Sequence, residues 1–248
     1  MARGAPQDAT RRLAVVAGAL YLVTFVASIP ALILYGPVLN DPGFVLGSGP
    51  DTGILWGGLL EVITAIAGVG TAIALFPVLR RHNEAVALGF IASRGLEAAT
   101  IVTGVVSLLA VASLRQDLAG AAGADAASLL TAGHALVAVH EWTFLLGPGV
   151  MPAVNALLLA TLLFRARLVP RIIPAMGLVG APLLLASSIA TLFGAYSQVS
   201  VWSAIATIPI FLWELSLGVW LVVKGFTTSP PTAGTGSAGT SPAEHHTA

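Results

Sequence analysis

Six long apolar stretches fill most of this chain, and four glutamates and an arginine lie inside them. That combination constrains the fold more than any motif. About 20 apolar residues in a helix cross a hydrocarbon core of about 30 Å. With no water to satisfy the backbone, such stretches span as helices. A charged side chain near mid-span disfavours insertion by roughly 2.5–3.5 kcal/mol. Leu, Val or Ala would span more easily. Glu61, Arg94, Glu97, Glu141 and Glu214 are therefore where the chain departs from plain membrane filler.

Composition narrows the class further. The chain is 56% hydrophobic and only 9% charged, with a mean hydropathy of +0.92. Soluble domains carry about 25% charged residues. The 248 residues hold six spans, short loops and little else, so no separate soluble domain fits. Formal net charge is zero and no basic stripe exists, so nucleic acid is not an expected partner. Cysteine is absent, which excludes disulfides, thiolate metal sites and cysteine nucleophiles.

The expected fold is all-α, a polytopic bundle of six transmembrane helices. A polar arm over 1–12 leads into a transmembrane domain over 13–226, and a tail over 227–248 rich in Thr, Ser, Pro, Gly and Ala reads as disordered. The spans are expected at Leu13–Leu34, Ile54–Leu79, Ala85–Leu114, His134–Phe164, Ile172–Phe193 and Val201–Val223. Thr10-Arg11-Arg12 has a faint likeness to an export signal, but the apolar run exceeds the ~7–15 residues of a signal core. Gly36–Gly53 and Arg115–Gly133 read as loops. The fourth span is too long for a straight crossing, and Gly147-Pro148-Gly149 with Pro152 predicts a break in it. His245-His246 in the tail is at most a weak metal binder.

Basic residues near span ends set orientation. Arg3, Arg11, Arg12, Arg80, Arg81, Arg165, Arg167, Arg171 and Lys224 share one side, and Arg115 alone takes the other. Both termini are thus expected in the cytoplasm, with Tyr35, Trp56, Tyr196 and Trp202 near the outer interface and Trp220 near the inner. Gly68-x-x-x-Ala72, Gly70-x-x-x-Ala74 and Gly95-x-x-x-Ala99 permit close helix contact.

Helix rise places the charges in depth. Glu61 and the pair His140-Glu141 fall roughly 10 Å below the outer edge, and Glu97 about 12 Å. Three carboxylates and an imidazole are therefore expected at one level. Arg94 lies one turn deeper than Glu97 on the same face. Glu214 falls roughly 16 Å down, close to Arg94. An Arg94–Glu214 interhelical ion pair with Glu97 as second partner is the natural expectation. Glu61 and Glu141 then lack a cation, and low dielectric favours the neutral form of an unpaired carboxylate. Asn155 is expected to make an interhelical hydrogen bond.

Familiar catalytic patterns are missing. His140-Glu141-Trp142-Thr143-Phe144 begins like the zinc-protease helix, but Phe144 stands where the second histidine would bind. A metal set of His134, His140, Glu61 and Glu97 has no diagnostic spacing. Gly47-Ser48-Gly49-Pro50 is a turn with no strand leading into it, so it is no nucleophile elbow. No catalytic residue, cofactor or metal ligand set is therefore assigned.

Several landmarks form an ordered pattern. They are Arg12 ahead of Gly18 and Tyr21-Leu22, then Arg94-Gly95-Leu96-Glu97, then Leu163-Phe164-Arg165-Ala166-Arg167-Leu168-Val169-Pro170-Arg171, and last Glu214 ahead of Trp220-Leu221-Val222-Val223-Lys224-Gly225-Phe226. From about Arg11 to Phe226 this pattern resembles the bacterial family named domain of unknown function 4386. The resemblance implies a multi-span bacterial membrane protein and supplies no reaction.

Three classes of function are compatible with these residues. The first is a small proton- or cation-linked transporter of the bacterial plasma membrane, with Glu61, Glu97 and Glu141 as coupling carboxylates and Arg94 as counter-ion. The second is a non-catalytic partner or sensor whose intramembrane ion pairs hold the bundle. The third is a membrane-embedded metal enzyme using His140. The lipid bilayer is the one partner common to all three, with a small solute or proton added in the first.

Overall fold

The computed structural model describes residues 5–118 and 126–227. Arg3, Asp125, His245 and His246 fall outside them. Among the described residues all regular structure is helical: α1 (Ala5–Leu34), α2 (Gly36–Asn40), α3 (Thr52–Leu79), α4 (Glu84–Leu118), α5 (Ala126–Phe144), α6 (Met151–Ala166), α7 (Ile172–Leu192) and α8 (Val201–Val223). A 3₁₀ turn occupies Phe44–Leu46, and a π-helical segment, Leu145–Gly149, joins α5 to α6. Six helical segments are long and apolar enough to cross a membrane, with α5, the π segment and α6 counting as one.

Local chemistry sets several boundaries. Asn83 caps α4, its side-chain oxygen accepting from the Val86 amide at 3.1 Å. Ser200 caps α8 by accepting from the Ser203 amide at 3.2 Å. Arg167, with φ of 52°, ends α6 in a left-handed turn, and the Leu168 amide returns to the Leu163 carbonyl at 3.2 Å. Arg11 reaches across the bundle to the free C-terminal carbonyls of α8, donating to Leu221 at 2.9 Å and Val222 at 2.7 Å. The start of α1 and the end of α8 therefore share one face of the bundle, called here the terminal face.

The structure is more helical than the sequence suggested. Residues 5–12 belong to α1 rather than to an irregular arm. The expected loop over 115–133 shrinks, because α4 runs on to Leu118 and α5 begins at Ala126. Alanine is the best helix former, so small-residue composition there does not signal a loop. Within Gly36–Gly53 the chain forms α2 and the 3₁₀ turn, joined by irregular stretches, before α3 begins at Thr52. The Leu145–Gly149 segment falls where Gly147, Pro148 and Gly149 predicted a break.

α1 packs on α3, α3 on α4, α4 on α6, α6 on α7, α7 on α8, and α8 returns to α1, while α5 leans on α4. Backbone approaches are closest at Gly18, where an added Cβ would lie 2.6 Å from the Gly218 carbonyl oxygen, and at Gly180 against α8. Gly70 meets Leu20, but Gly95 faces open space, so its small-residue spacing makes no helix contact. A large apolar core near the terminal face includes Tyr21, Leu75, Phe90, Leu163, Trp213 and Leu217. A smaller one near the far face includes Tyr35, Val45, Ile54 and Leu108. The charged residues lie between them.

Candidate functional site

Arg94 on α4 organises this level. Its Nη1 donates to Glu97 Oε2 at 3.0 Å, one turn along the same helix. Its Nη2 donates to Glu214 Oε1 on α8 at 2.8 Å and to the Tyr21 hydroxyl on α1 at 3.3 Å. The guanidinium also lies 5.3 Å from the Tyr21 ring centroid and 5.7 Å from that of Phe90. Asn155 on α6 donates to Glu97 Oε2 at 2.7 Å and accepts from the Ser93 hydroxyl at 2.6 Å. One arginine thus ties α1, α4, α6 and α8 together. Charge-assisted bonds of this kind are roughly twice as strong as neutral ones, and low dielectric strengthens them further. Among the described residues the Nε of Arg94 has no hydrogen-bond partner.

A cavity of about 220 Å³ opens beside this network. Glu61, Arg94, Glu97 and Glu214 supply its charge, and Thr24, Ser28 and Thr64 its hydroxyls. Phe25, Ile29, Leu32, Ile101 and Phe144 form apolar walls, and Pro148 of the π segment closes one side. The volume exceeds the ~150 Å³ that accepts benzene in a dry protein cavity. It is below the ~300 Å³ at which pockets for drug-sized ligands begin. The Thr24 and Thr64 hydroxyls already donate to backbone carbonyls one turn back. Their hydroxyl oxygens keep lone pairs that can accept.

Glu61 stands apart from the network. It is only 8% exposed, and among the described residues it joins no ion pair. The buried Tyr35 hydroxyl interacts with it, and among the described residues that hydroxyl has no other hydrogen-bond partner. A side chamber of about 10 Å³ leads from Glu61 to His140, bounded by Thr100, Gly104 and Thr143. That is about the minimum for a single water. His140 is 4% exposed, its Nδ1 lacks a hydrogen-bond partner, and its ring meets Tyr35 edge-on at 5.3 Å. Gly104 permits this approach, since a Cβ there would sit 3.0 Å from His140 Nδ1.

The structure thus brings Glu61, Arg94, Glu97 and Glu214 to one cavity and His140 to its annex. Glu141 is separated from them. It is exposed on the outer surface of α5, because adjacent helical residues point about 100° apart and His140 takes the inward direction. His134 also lies elsewhere, its Nε2 3.0 Å from the Pro42 carbonyl oxygen near the far face. Among the described residues no three His, Asp or Glu side chains converge on a metal position.

The sequence carries no signal for Ser93, marks Tyr21 only as a landmark of the family pattern, and places Tyr35 at the outer interface. Tyr35 reads as an interface aromatic, yet α2 folds the chain back and leaves it 1% exposed. Arg115 was also undervalued. It is buried at the far end of α4, paired with Asp51, and donates to the Gly47 and Gly49 carbonyls at 3.0 and 2.9 Å. The Phe44 ring lies 4.1 Å from its guanidinium carbon.

Residues 16–225 match the family described as Domain of unknown function (DUF4386). The chain belongs to that family, and the matched region contains every residue of the cavity. No curated protein and no solved structure matches the chain. The family, the all-helical fold and the six apolar helices define a multi-pass integral membrane protein.

Proposed function

We propose that this protein is a small proton- or cation-linked permease of the bacterial plasma membrane, with both termini in the cytoplasm. One observation carries the reading: a cavity of about 220 Å³ at the depth of the buried charges, where three carboxylates meet one guanidinium. Buried charge without a lining cavity serves the fold alone, whereas ionisable groups around a solute-sized space mark a pathway. Glu61 is the coupling carboxylate because it joins no ion pair among the described residues. Glu97 and Glu214 shape the cavity while held by Arg94. Glu141 has no part in coupling.

The reading is tested in proteoliposomes by following solute-dependent pH changes across a panel of small solutes. Glu61→Gln is expected to abolish the coupled proton movement and Glu141→Gln to leave it unchanged. Unchanged flux and coupling in Glu61→Gln and Glu97→Gln would remove the proposal.

A second reading has support from the Arg94 network itself. Glu97, Glu214 and Tyr21 engage both terminal nitrogens of the guanidinium, as a purely structural clasp would. In that case the protein is a non-catalytic partner or sensor, and it co-purifies with another membrane protein while showing no flux.

A further inference from the structure

We infer that the cavity binds a small organic monocation, and that this cation and a proton compete for Glu61. The inference rests on the permease reading and names its substrate class.

The charge balance points this way. Arg94 neutralises at most one of the carboxylates Glu97 and Glu214. With Glu97 and Glu214 both ionised, the cavity keeps one negative charge in excess when Glu61 is protonated and two when it is ionised. A cation is favoured in either state, and an anion would meet unbalanced carboxylates in a low-dielectric space.

Hydrogen-bonding capacity agrees. Nη1 of Arg94 donates to Glu97 and Nη2 to Glu214 and Tyr21, which leaves Nε–H without a partner among the described residues. The hydroxyls of Thr24 and Thr64 donate to their own helices. The acceptors that remain are the Glu61 carboxylate, the second oxygens of Glu97 and Glu214, and hydroxyl lone pairs; they outnumber the remaining donors, the Arg94 Nε–H and the Ser28 hydroxyl. Phe25, Ile29, Leu32, Ile101 and Phe144 suit a hydrocarbon body. An inorganic cation would leave these walls unused, whereas a small amine or quaternary ammonium uses both parts.

Glu61 is the group free to exchange. It is more than nine-tenths buried, lines the cavity and joins no ion pair among the described residues. The titratable and charged groups around it are Tyr35 after α1, Arg94 and Glu97 on α4, His140 on α5 and Glu214 on α8. Arrival of one monocation and departure of one proton from Glu61 leave the total charge of the cavity unchanged. The His140 chamber is lined by Glu61 and by none of the groups that bond Arg94.

The test uses the purified full chain in detergent and in phosphatidylcholine vesicles. The probes are ammonium, methylammonium, tetramethylammonium and guanidinium, with tert-butanol and pivalate as neutral and anionic matches for tetramethylammonium. Binding is measured by calorimetry, and proton release in weak buffer. At least one cation is expected to bind with proton release, and neither tert-butanol nor pivalate. Glu61→Gln, shown to melt like the parent, is expected to bind about tenfold more weakly and to release no proton. Ala98→Phe, which fills the cavity without touching a charge, is expected to lose binding. Failure of all four cations, equal binding of tert-butanol, or undiminished cation binding by Glu61→Gln overturns the inference. Cation binding without pH-driven uptake into vesicles overturns the permease reading and keeps the cation site. pH-driven uptake of the neutral or anionic probe keeps the permease and overturns the cation assignment.

Discussion

Glu214 accepts a 2.8 Å hydrogen bond from Arg94, a residue 120 positions earlier in the chain. The bond joins the last span to α4 at the middle of the bundle, where the apolar core is interrupted. Removing one partner of such a buried pair costs about 3–5 kcal/mol, since the other charge stays buried and unpaired. Arg94→Leu is expected to destabilise by that amount in denaturant unfolding from mixed micelles, and Glu214→Leu by less, because Glu97 still pairs with the guanidinium. The swapped pair Arg94→Glu with Glu214→Arg is expected to recover only part of the loss. In the swap the new glutamate faces Glu97 one turn away, a like-charge contact.

Asn155 holds Glu97 in place from α6. Asn155→Leu leaves Glu97 Oε2 and the Ser93 hydroxyl each short of a partner, and is expected to cost about 1–3 kcal/mol. Asn155→Asp sets a second carboxylate 2.7 Å from the first and is expected to be worse than Leu at neutral pH. The same unfolding assay ranks the two.

Two glycines of α4 make a controlled pair. A Cβ at Gly104 would meet Thr143 Oγ1 at 2.8 Å and His140 Nδ1 at 3.0 Å, whereas a Cβ at Gly95 meets nothing within 4 Å. Gly104→Ala is expected to cost about 1–3 kcal/mol through overpacking. Gly95→Ala is expected to stabilise by up to about 1 kcal/mol, as a helical Gly→Ala change without contacts does. Thermal unfolding of both variants checks the close packing of α5 on α4.

Arg115 fastens the connection between α2 and α3 to the far end of α4. Arg115→Ala removes the Asp51 ion pair and the bonds to the Gly47 and Gly49 carbonyls. Hydrogen exchange over residues 43–51 is expected to rise by tenfold or more, since charge-assisted bonds of about 1.5–3 kcal/mol each are lost. Exchange in α7, which packs on α6 and α8, is expected to stay unchanged.

The spans and the Arg94–Glu214 pairing could be read from the residues because hydropathy and helix rise fix which segments cross and how deep a side chain lies. Direction around the helix axis is a separate coordinate. Glu141 shares the depth of Glu61, yet it points away from the bundle because its neighbour His140 points in. The same coordinate hid Ser93, which becomes part of the site only when α6 brings Asn155 against α4. Tyr35 was lost for another reason. A Gly/Pro-rich stretch does not announce that it will fold back as α2 and bury the tyrosine before it. The cavity itself arises from how five helices and the π segment meet, and no single segment encodes it.

Whether water and solutes reach the level of the buried charges is the most direct question to put to this protein. The chain has no cysteine, so single replacements need no background removal. Ser28→Cys and Thr64→Cys place near-isosteric thiols on two walls of the cavity, and Ala72→Cys places one in the apolar core. Thiolates react only where water reaches them. Intact cells are treated with a membrane-impermeant thiol reagent. The Ser28→Cys and Thr64→Cys variants are expected to be labelled, and tetramethylammonium to slow both reactions. The Ala72→Cys variant is expected to remain unlabelled. No labelling of either cavity variant, in protein shown to be folded and inserted, would contradict a solute-accessible site and leave the charges as a structural clasp.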